Sequence, residues 1–217
     1  MNIEQARFNM IEQQIRPWNV LDQDVLDLLH VVKREQFVPQ AYANLAFADV
    51  EIPLPGGETM FTPKIEARIL QELKLKKHEN VLEIGAGSGY MAALMAHQAR
   101  QVTTVEISPE IKALAEQNIA RAGIANVTVA EGNAANGWEQ GGPFDVIVIS
   151  GGLDSIPEAF LKQVKVGGRI AAIVGRSPAM SAVLVTRVSE TGYDTVKLFE
   201  TNVKPLSGAP AASRFTF

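Results

Sequence analysis

Three glycines and one acidic residue have the types and spacing of a ligand-binding turn. Gly85, Gly87 and Gly89 stand at alternate positions, and Glu83 precedes them. An apolar run predicts a strand before the glycines, and small apolar residues predict a helix after them. A strand that passes through such a turn into a helix brings backbone N–H groups and the positive helix end to a ligand. We interpret each glycine as a position where a Cβ would hold that ligand away from the backbone.

The spacing of the glycines distinguishes between nucleotide ligands. The dinucleotide fingerprint G-x-G-x-x-G would need a glycine at Tyr90, which is absent. The pattern acid-x-G-x-G-x-G instead resembles motif I of the class I S-adenosylmethionine methyltransferases. About 20 residues further on, a second apolar strand ends at Glu106, where a carboxylate can accept hydrogen bonds from both ribose hydroxyls. A tight strand-to-helix turn is the alternative, but strand, helix and acid together favour S-adenosylmethionine.

Composition excludes several classes of protein. With 217 residues and an apolar fraction of 47%, the chain can bury one large α/β core. It has no cysteine, which excludes thiol catalysis and thiolate metal sites, and we expect no metal. The net charge of −4 argues against a nucleic-acid partner. No stretch is apolar enough to span a membrane, and no signal peptide is evident, so we expect a cytoplasmic protein.

Periodicity predicts the elements that must position these residues. Helices are expected over 6–16, 22–32, 63–73, 91–97, 108–119 and 156–164, and strands over 81–84, 102–105, 125–130, 144–150, 169–174, 182–188 and 194–201. This order predicts an α/β fold with a mostly parallel twisted sheet, one antiparallel strand and an N-terminal helical cap over a binding cleft. We divide the chain into cap and proline loop (1–58), core (59–206) and C-terminal tail (207–217).

Several segments together resemble the protein-L-isoaspartate O-methyltransferase family, whose members have a Rossmann-like class I methyltransferase fold. They are, in chain order, Lys33-Arg34-Glu35-Gln36-Phe37-Val38, Pro53-Leu54-Pro55, Val81 to Tyr90, Gly132 to Trp138, Phe144 to Val148, Gly167-Gly168-Arg169 and Lys204-Pro205-Leu206-Ser207-Gly208. The resemblance covers nearly the whole chain. It implies methyl transfer from S-adenosyl-L-methionine, with S-adenosyl-L-homocysteine as product, to the free carboxylate of L-isoaspartyl residues in damaged peptides and proteins.

The resemblance also implies roles for particular residues. The cofactor would be bound by Glu83, Gly85, Ala86, Gly87, Ser88, Gly89, Tyr90, Glu106, Ile107, Gly132, Asn133 and Ala134. Methyl transfer would take place beside Thr59, Phe61 and Thr62, where the two threonine hydroxyls and the loop N–H groups are the donors for an incoming carboxylate and Phe61 can only shape the pocket. Because that carboxylate is already ionised at neutral pH, no general base is needed, and the three histidines lie in settings typical of structural residues.

Three departures from the family pattern keep alternatives open. Phe61 stands where the family has a serine, Asn133 where it has an aspartate, and Ser150-Gly151-Gly152 where it has Thr-Ala-Ala. The amide of Asn133 can accept a hydrogen bond from adenine or belong to a turn. Phe61 and the glycine pair favour a differently shaped pocket for another acceptor. The coincidence of departures at the acceptor side is also compatible with a non-catalytic S-adenosylmethionine-binding module that acts through a partner.

Overall fold

The structure, a computed structural model, describes residues 2–209 and contains one large sheet with helices on both faces. Its helices are α1 (Ile3–Met10), α2 (Gln23–Val31), α3 (Pro63–Leu73), α4 (Tyr90–Gln98), α5 (Pro109–Arg121) and α6 (Glu158–Gln163). Its strands are β1 (Ile52–Pro53), β2 (Thr59–Met60), β3 (Asn80–Ile84), β4 (Gln101–Glu106), β5 (Val127–Glu131), β6 (Phe144–Leu153), β7 (Val164–Arg176), β8 (Ala179–Arg187) and β9 (Tyr193–Thr201). Within this part of the chain, no helix has both the length and the apolar character needed to cross a membrane.

The main sheet has the strand order β5-β4-β3-β6-β7-β8-β9. Neighbouring strands from β5 to β7 are parallel, whereas β8 is antiparallel to both β7 and β9. From β3 the sheet is extended first on one side by β4 and β5 and then on the other side by β6 and β7. A crevice lies where β3 and its neighbours end, which is the usual place for a ligand site in such sheets. The predicted α/β fold with one antiparallel strand is confirmed.

The alternation of side chains along β3 explains why both faces of the sheet are covered. Val81 belongs to the core that contains α1 to α5, and Leu82 belongs to the core on the opposite face, which contains α6. Successive strand residues point to opposite faces, so a strand buried on both sides needs a continuous apolar run. This is the pattern of β3 in the sequence.

The N-terminal segment is helical, as predicted, but it does not cover the binding cleft. After α1, the chain continues through a π-helical turn (Ile11–Ile15) and a 3-10 turn (Arg16–Trp18), and Asp22 caps α2 by accepting a hydrogen bond from the Asp24 N–H at 3.0 Å. The buried side chains of this segment pack in the core against α3 and α4. Among the described residues, none before Glu58 lines the cleft, so the segment supports the site from behind.

Two boundaries differ from those that the sequence predicts. The helix expected over 156–164 is limited to α6, and β7 begins at Val164 rather than near Arg169. The strand passes through Gly167 and Gly168. A Cβ on Gly168 would lie 2.6 Å from the Asp145 carbonyl oxygen, so the glycine allows β7 to approach β6 closely.

A C-terminal segment, residues 203–209, which we call the strap, lies across the end of β6. The Gly152 N–H donates to the Lys204 carbonyl at 2.9 Å, and the Leu206 N–H donates to the Gly152 carbonyl at 2.8 Å. A Cβ on Gly151 would come within 2.9 Å of Leu206. The absence of side chains at Gly151 and Gly152 therefore lets the strap pack against the end of β6. The predicted tail of 207–217 lies outside the described residues from 210 onwards.

Candidate active site

A cleft with two connected cavities lies at the carboxyl ends of β3, β4 and β6. Both are open to solvent: the one that we call the outer cavity has a volume of about 610 Å³ and the one that we call the inner cavity about 300 Å³, with the open mouths included. The two share part of their walls, namely Thr59, Phe61, Gly85, Gly87 and Ser150. The cleft thus brings together the glycine turn after β3 and the loop before α3, which are far apart in the sequence.

The three glycines of the turn have positive φ angles, but they serve different purposes. Gly85 and Gly87 line both cavities, and a Cβ on Gly87 would have room, with Leu54 Cδ1 as its nearest neighbour at 3.7 Å. Gly89 does not line the cleft. Its Cβ would lie 3.1 Å from Ile119 in α5, so this glycine allows α4 and α5 to pack closely.

The residues between and after the glycines line the inner cavity. Ala86, Ser88 and Tyr90 all contribute to its wall. Tyr90 is buried, its hydroxyl donates to the Val32 carbonyl at 3.5 Å, and the Arg34 guanidinium lies 5.3 Å from its ring centroid. Burial, followed by the nearby Glu66 carboxylate, raises the pKa of Tyr90, so the phenol stays neutral.

Glu106 ends β4 with its carboxylate at the wall of the outer cavity. Its Oε1 accepts a hydrogen bond from the Ser108 N–H at 3.0 Å, and its Oε2 accepts one from the Gly87 N–H at 3.4 Å. Ser108 is fixed in turn as the N-cap of α5. Two backbone donors therefore hold the carboxylate in one orientation, with lone pairs left for a polyhydroxy ligand. This geometry fits the ribose of an adenosyl cofactor.

Glu83 lies fully buried at the wall of the inner cavity. Its Oε1 accepts a hydrogen bond from the Ser150 hydroxyl at 3.0 Å, whereas its buried Oε2 has no partner in good hydrogen-bond geometry. Burial raises the pKa of Glu83 to about 8, although the buried Thr104 hydroxyl lies close enough to lower that pKa, and the carboxylates of Glu66 and Glu106 add to the rise. An unpartnered buried acceptor is costly, and a ligand's ammonium group would satisfy it. The residue thus does more than fix the turn.

The far side of the outer cavity is formed by small and apolar groups. Ile107, Gly132 and Ala134 line it, and Ile107 is 38% exposed. Asn133 does not line it. Its Oδ1 accepts a hydrogen bond from the Ala135 N–H at 3.1 Å, which is the pattern of a turn asparagine. Of the two interpretations of Asn133, the structure places the side chain in the turn.

The three predicted acceptor-side residues have different positions. Thr59 and Phe61 line both cavities, and Phe61 is half-buried. Thr62 is the N-cap residue of α3, but its Oγ1 makes no cap hydrogen bond, is buried without a partner and lies outside the cleft. In this structure the Thr62 hydroxyl is therefore buried and is not among the donors that line the cleft.

A buried ion pair behind the loop was not found by sequence reasoning. Arg34 donates to the Glu66 carboxylate and, at 2.6 Å, to the backbone carbonyl of Phe61. Both side chains are almost completely buried, and Glu66 also lines the inner cavity. Burial raises the pKa of Glu66, while the guanidinium opposes the rise. An arginine and a glutamate separated by 32 positions carry no local signal of their contact.

Comparison with known proteins relates these features to one family. Residues 5–204 match the family described as Protein-L-isoaspartate(D-aspartate) O-methyltransferase (PCMT). Protein-L-isoaspartate O-methyltransferase 1 of Rhodopseudomonas palustris (strain HaA2) is 38% identical over 205 residues, which are 93% of this chain and 83% of that protein. Protein-L-isoaspartate O-methyltransferase 2 of Marinobacter nauticus is 35% identical over 208 residues, 95% of each chain.

Solved structures give the same result for the fold. A protein-L-isoaspartate O-methyltransferase aligns with a TM-score of 0.80 at 28% identity, and the alignment covers 93% of this chain and 66% of that chain. A Plasmodium falciparum structure of the same description, in complex with S-adenosyl-L-homocysteine, aligns with a TM-score of 0.80 at 19% identity over 95% of this chain and 98% of that chain. The second likeness concerns the fold alone.

Proposed function

Because the chain belongs to the protein-L-isoaspartate(D-aspartate) O-methyltransferase family, we propose that it methylates the free carboxylate of L-isoaspartyl residues in damaged proteins, with S-adenosylmethionine as methyl donor. The observation that carries the proposal is the pair of carboxylates in one cleft. Glu106 has both oxygens held by backbone donors, and Glu83 has one oxygen without a partner. These are the acceptors that a ribose and an ammonium group need at the two ends of one ligand.

We assign the cofactor to the cleft as follows. Glu106 would accept hydrogen bonds from the ribose hydroxyls, and Glu83 would pair with the ammonium of the methionine part. Ile107, Gly132 and Ala134 would contact the adenine. We do not assign Asn133 to the adenine amino group, because its side chain accepts a hydrogen bond within its own turn. When bound, S-adenosylmethionine supplies an electrophilic methyl group on a sulfonium.

The acceptor needs alignment more than activation. An α-carboxyl group has an ordinary pKa of about 3.3–3.7, so it is ionised by a factor of roughly a thousand at pH 7 and is already the nucleophile. In agreement, no histidine is found among the described residues that line the cleft. Thr59 and the backbone N–H groups of its loop would hold the acceptor, and alignment can supply up to about 7–11 kcal/mol of the barrier.

Incubation with methyl-labelled S-adenosylmethionine and an isoaspartyl peptide tests the proposal. We expect a methyl ester that is released by mild base, and none with the same peptide containing an ordinary aspartyl residue. Glu106→Ala serves as the control that loses the cofactor. Transfer to the isoaspartyl peptide no greater than with Glu106→Ala would refute the activity. If S-adenosylhomocysteine nevertheless binds the wild-type protein, the chain would be either a methyltransferase for another acceptor or a binding module, and an acceptor screen of cell lysate would separate the two.

A second candidate function, methylation of another acceptor, is favoured by one specific observation, the phenyl ring of Phe61 at the wall of both cavities. A phenyl ring shapes an apolar pocket but cannot donate a hydrogen bond to a carboxylate. Phe61→Ser should raise turnover of the isoaspartyl peptide and leave S-adenosylhomocysteine affinity within a few-fold if the acceptor is a carboxylate. A loss of turnover for an acceptor from cell lysate, with the isoaspartyl peptide inactive throughout, would favour the second candidate.

A further inference from the structure

The charges that line the cleft are unevenly distributed. Its wall contains four carboxylates and, among the residues that the structure describes, a single cationic side chain. The carboxylates are Glu58, Glu66, Glu83 and Glu106, and the cation is Lys204. Glu66 is paired with Arg34, and the raised pKa of Glu83 keeps that side chain largely protonated at pH 7. Glu58 and Glu106 are therefore the groups that repel a negatively charged acceptor. Such an acceptor can gain electrostatic attraction from the protein's side chains at one place only.

Lys204 lies at the rim of the outer cavity, on a fixed piece of backbone. Its carbonyl accepts a hydrogen bond from the Gly152 N–H at 2.9 Å, which ties the strap to β6. Its side chain is 39% exposed. The ammonium donates to Glu58 Oε1 at 2.7 Å and to the Gly57 carbonyl at 2.9 Å. The charge is therefore held next to the loop that leads to Thr59.

The contact between the Lys204 ammonium and Glu58 can break while the Glu58 carboxylate keeps another hydrogen-bond donor. Glu58 Oε1 also accepts a hydrogen bond from the Ser207 hydroxyl at 2.7 Å, and the Glu58 side chain remains 27% exposed to water. A partly exposed ion pair of this kind contributes little, so an incoming carboxylate can compete for the ammonium.

We propose that Lys204 is the residue that recognises the acceptor's negative charge, exchanging Glu58 for the free carboxylate of the acceptor as it enters the cleft. The proposal rests on the proposed function and deepens it, because it names the group that selects an anionic acceptor. Glu58 then competes with the acceptor for Lys204. The alternative role for the pair is a simple tie between the strap and the loop.

Two substitutions distinguish recognition of the acceptor carboxylate from a contact that only joins the strap to the loop. If Lys204 recognises the acceptor, Lys204→Met should weaken binding of an isoaspartyl peptide about tenfold, and Glu58→Gln should strengthen it several-fold, because the competitor is gone. If the pair is only a tie, both variants break the same contact and should weaken binding alike. Lys197→Met is the matched control, since Lys197 pairs with Glu200 at 2.8 Å on β9.

Binding should be measured with a fluorescent isoaspartyl peptide at saturating S-adenosylhomocysteine, together with the affinity for S-adenosylhomocysteine itself and the melting temperature. A second peptide that carries the isoaspartyl carboxylate as its methyl ester should bind wild type and Lys204→Met equally, since it has no charge to recognise. Equal weakening of both peptides by Lys204→Met, or weakening of the free peptide by Glu58→Gln, would overturn the proposal. If Lys204→Met does not fold, Glu58→Gln still decides.

Failure of this proposal can be told from failure of the proposed function. A wild-type protein that methylates the isoaspartyl peptide, with Lys204→Met unchanged in both kcat and KM, refutes the role of Lys204 alone. A wild-type protein that binds S-adenosylhomocysteine but neither binds nor methylates the peptide refutes both. A raised KM at nearly unchanged kcat for Lys204→Met is the result that we expect.

Discussion

Glu83 titrates within the pH range where ligand binding is usually measured, so its proton can be followed when a ligand enters the inner cavity. Its pKa is about 8 in the free protein because the side chain is buried. One unit below that pKa, at pH 7, about ten carboxyl groups are protonated for each that is ionised. A bound ammonium group needs the ionised form. Binding of S-adenosylhomocysteine at pH 7 should therefore release roughly 0.9 proton per site.

The same group affects the stability of the free protein in a defined direction. The folded-state pKa of about 8 lies above the ordinary value of 4.5. Between these values the native protein binds a proton that the unfolded chain does not. The contribution of Glu83 to the free energy of unfolding is thus greatest below pH 4.5 and falls by about 1.4 kcal/mol per pH unit until pH 8.

Titration calorimetry in two buffers with different heats of ionisation measures the released proton directly. At pH 7 the apparent binding enthalpies should differ in proportion to the buffer heats, and the difference should vanish well above pH 8. Glu83→Gln should abolish it and weaken binding. Glu131→Gln, at the exposed end of β5 and two strands away from β3, should preserve it. Equal enthalpies in both buffers for the wild type at pH 7 would refute the reasoning, as would proton release with a ligand analogue that lacks the amino group.

Three further substitutions test separate parts of the site. Glu106→Gln should weaken S-adenosylhomocysteine about 10- to 150-fold in calorimetry, the equivalent of one charge-assisted hydrogen bond of roughly 1.5–3 kcal/mol, with the fold retained in circular dichroism. Gly89→Ala should lower the free energy of unfolding by about 1–3 kcal/mol in urea titrations, owing to its φ of +82° and the approach of Ile119, with ligand affinity within a few-fold. Arg34→Met should cost about 3–5 kcal/mol in the same titration, because Glu66 is left as an unpaired buried charge, and the added change Glu66→Leu should recover most of it.

The positions of the residues that we assign to the cofactor could be predicted because their signals are local. The apolar run of β3, the glycines that follow and Glu106 at the end of β4 each occupy a position that strand and turn geometry fix within a few residues. Parallel strands end at the same edge of the sheet, so the two acids had to lie near one another. Gly89 shows the limit of this reasoning, since a glycine needed for helix packing looks the same in sequence as one that faces a ligand.

The acceptor half could not be predicted to the same extent because its contacts join distant parts of the chain. Thr62 occupies the N-cap position that the sequence indicates, yet its hydroxyl is turned away from both the helix and the cleft. The orientation of that loop depends on Arg34, which binds the carbonyl of Phe61 from the N-terminal segment. It depends equally on Lys204, which binds the loop from the strap. No spacing rule connects these residues.

The separation of the two halves has a consequence for how acceptor choice can change. The loop from Glu58 to Phe61 is held from outside, by Arg34 on one side and by Lys204 on the other, whereas Glu83 and Glu106 are set by the sheet. A substitution in the loop can therefore alter the shape and charge next to the acceptor while the acids that we assign to the cofactor keep their positions. Phe61 in place of a serine is a change of this kind: it removes a donor at the cleft wall and leaves the charge of Lys204 as the feature that can still select an anionic acceptor.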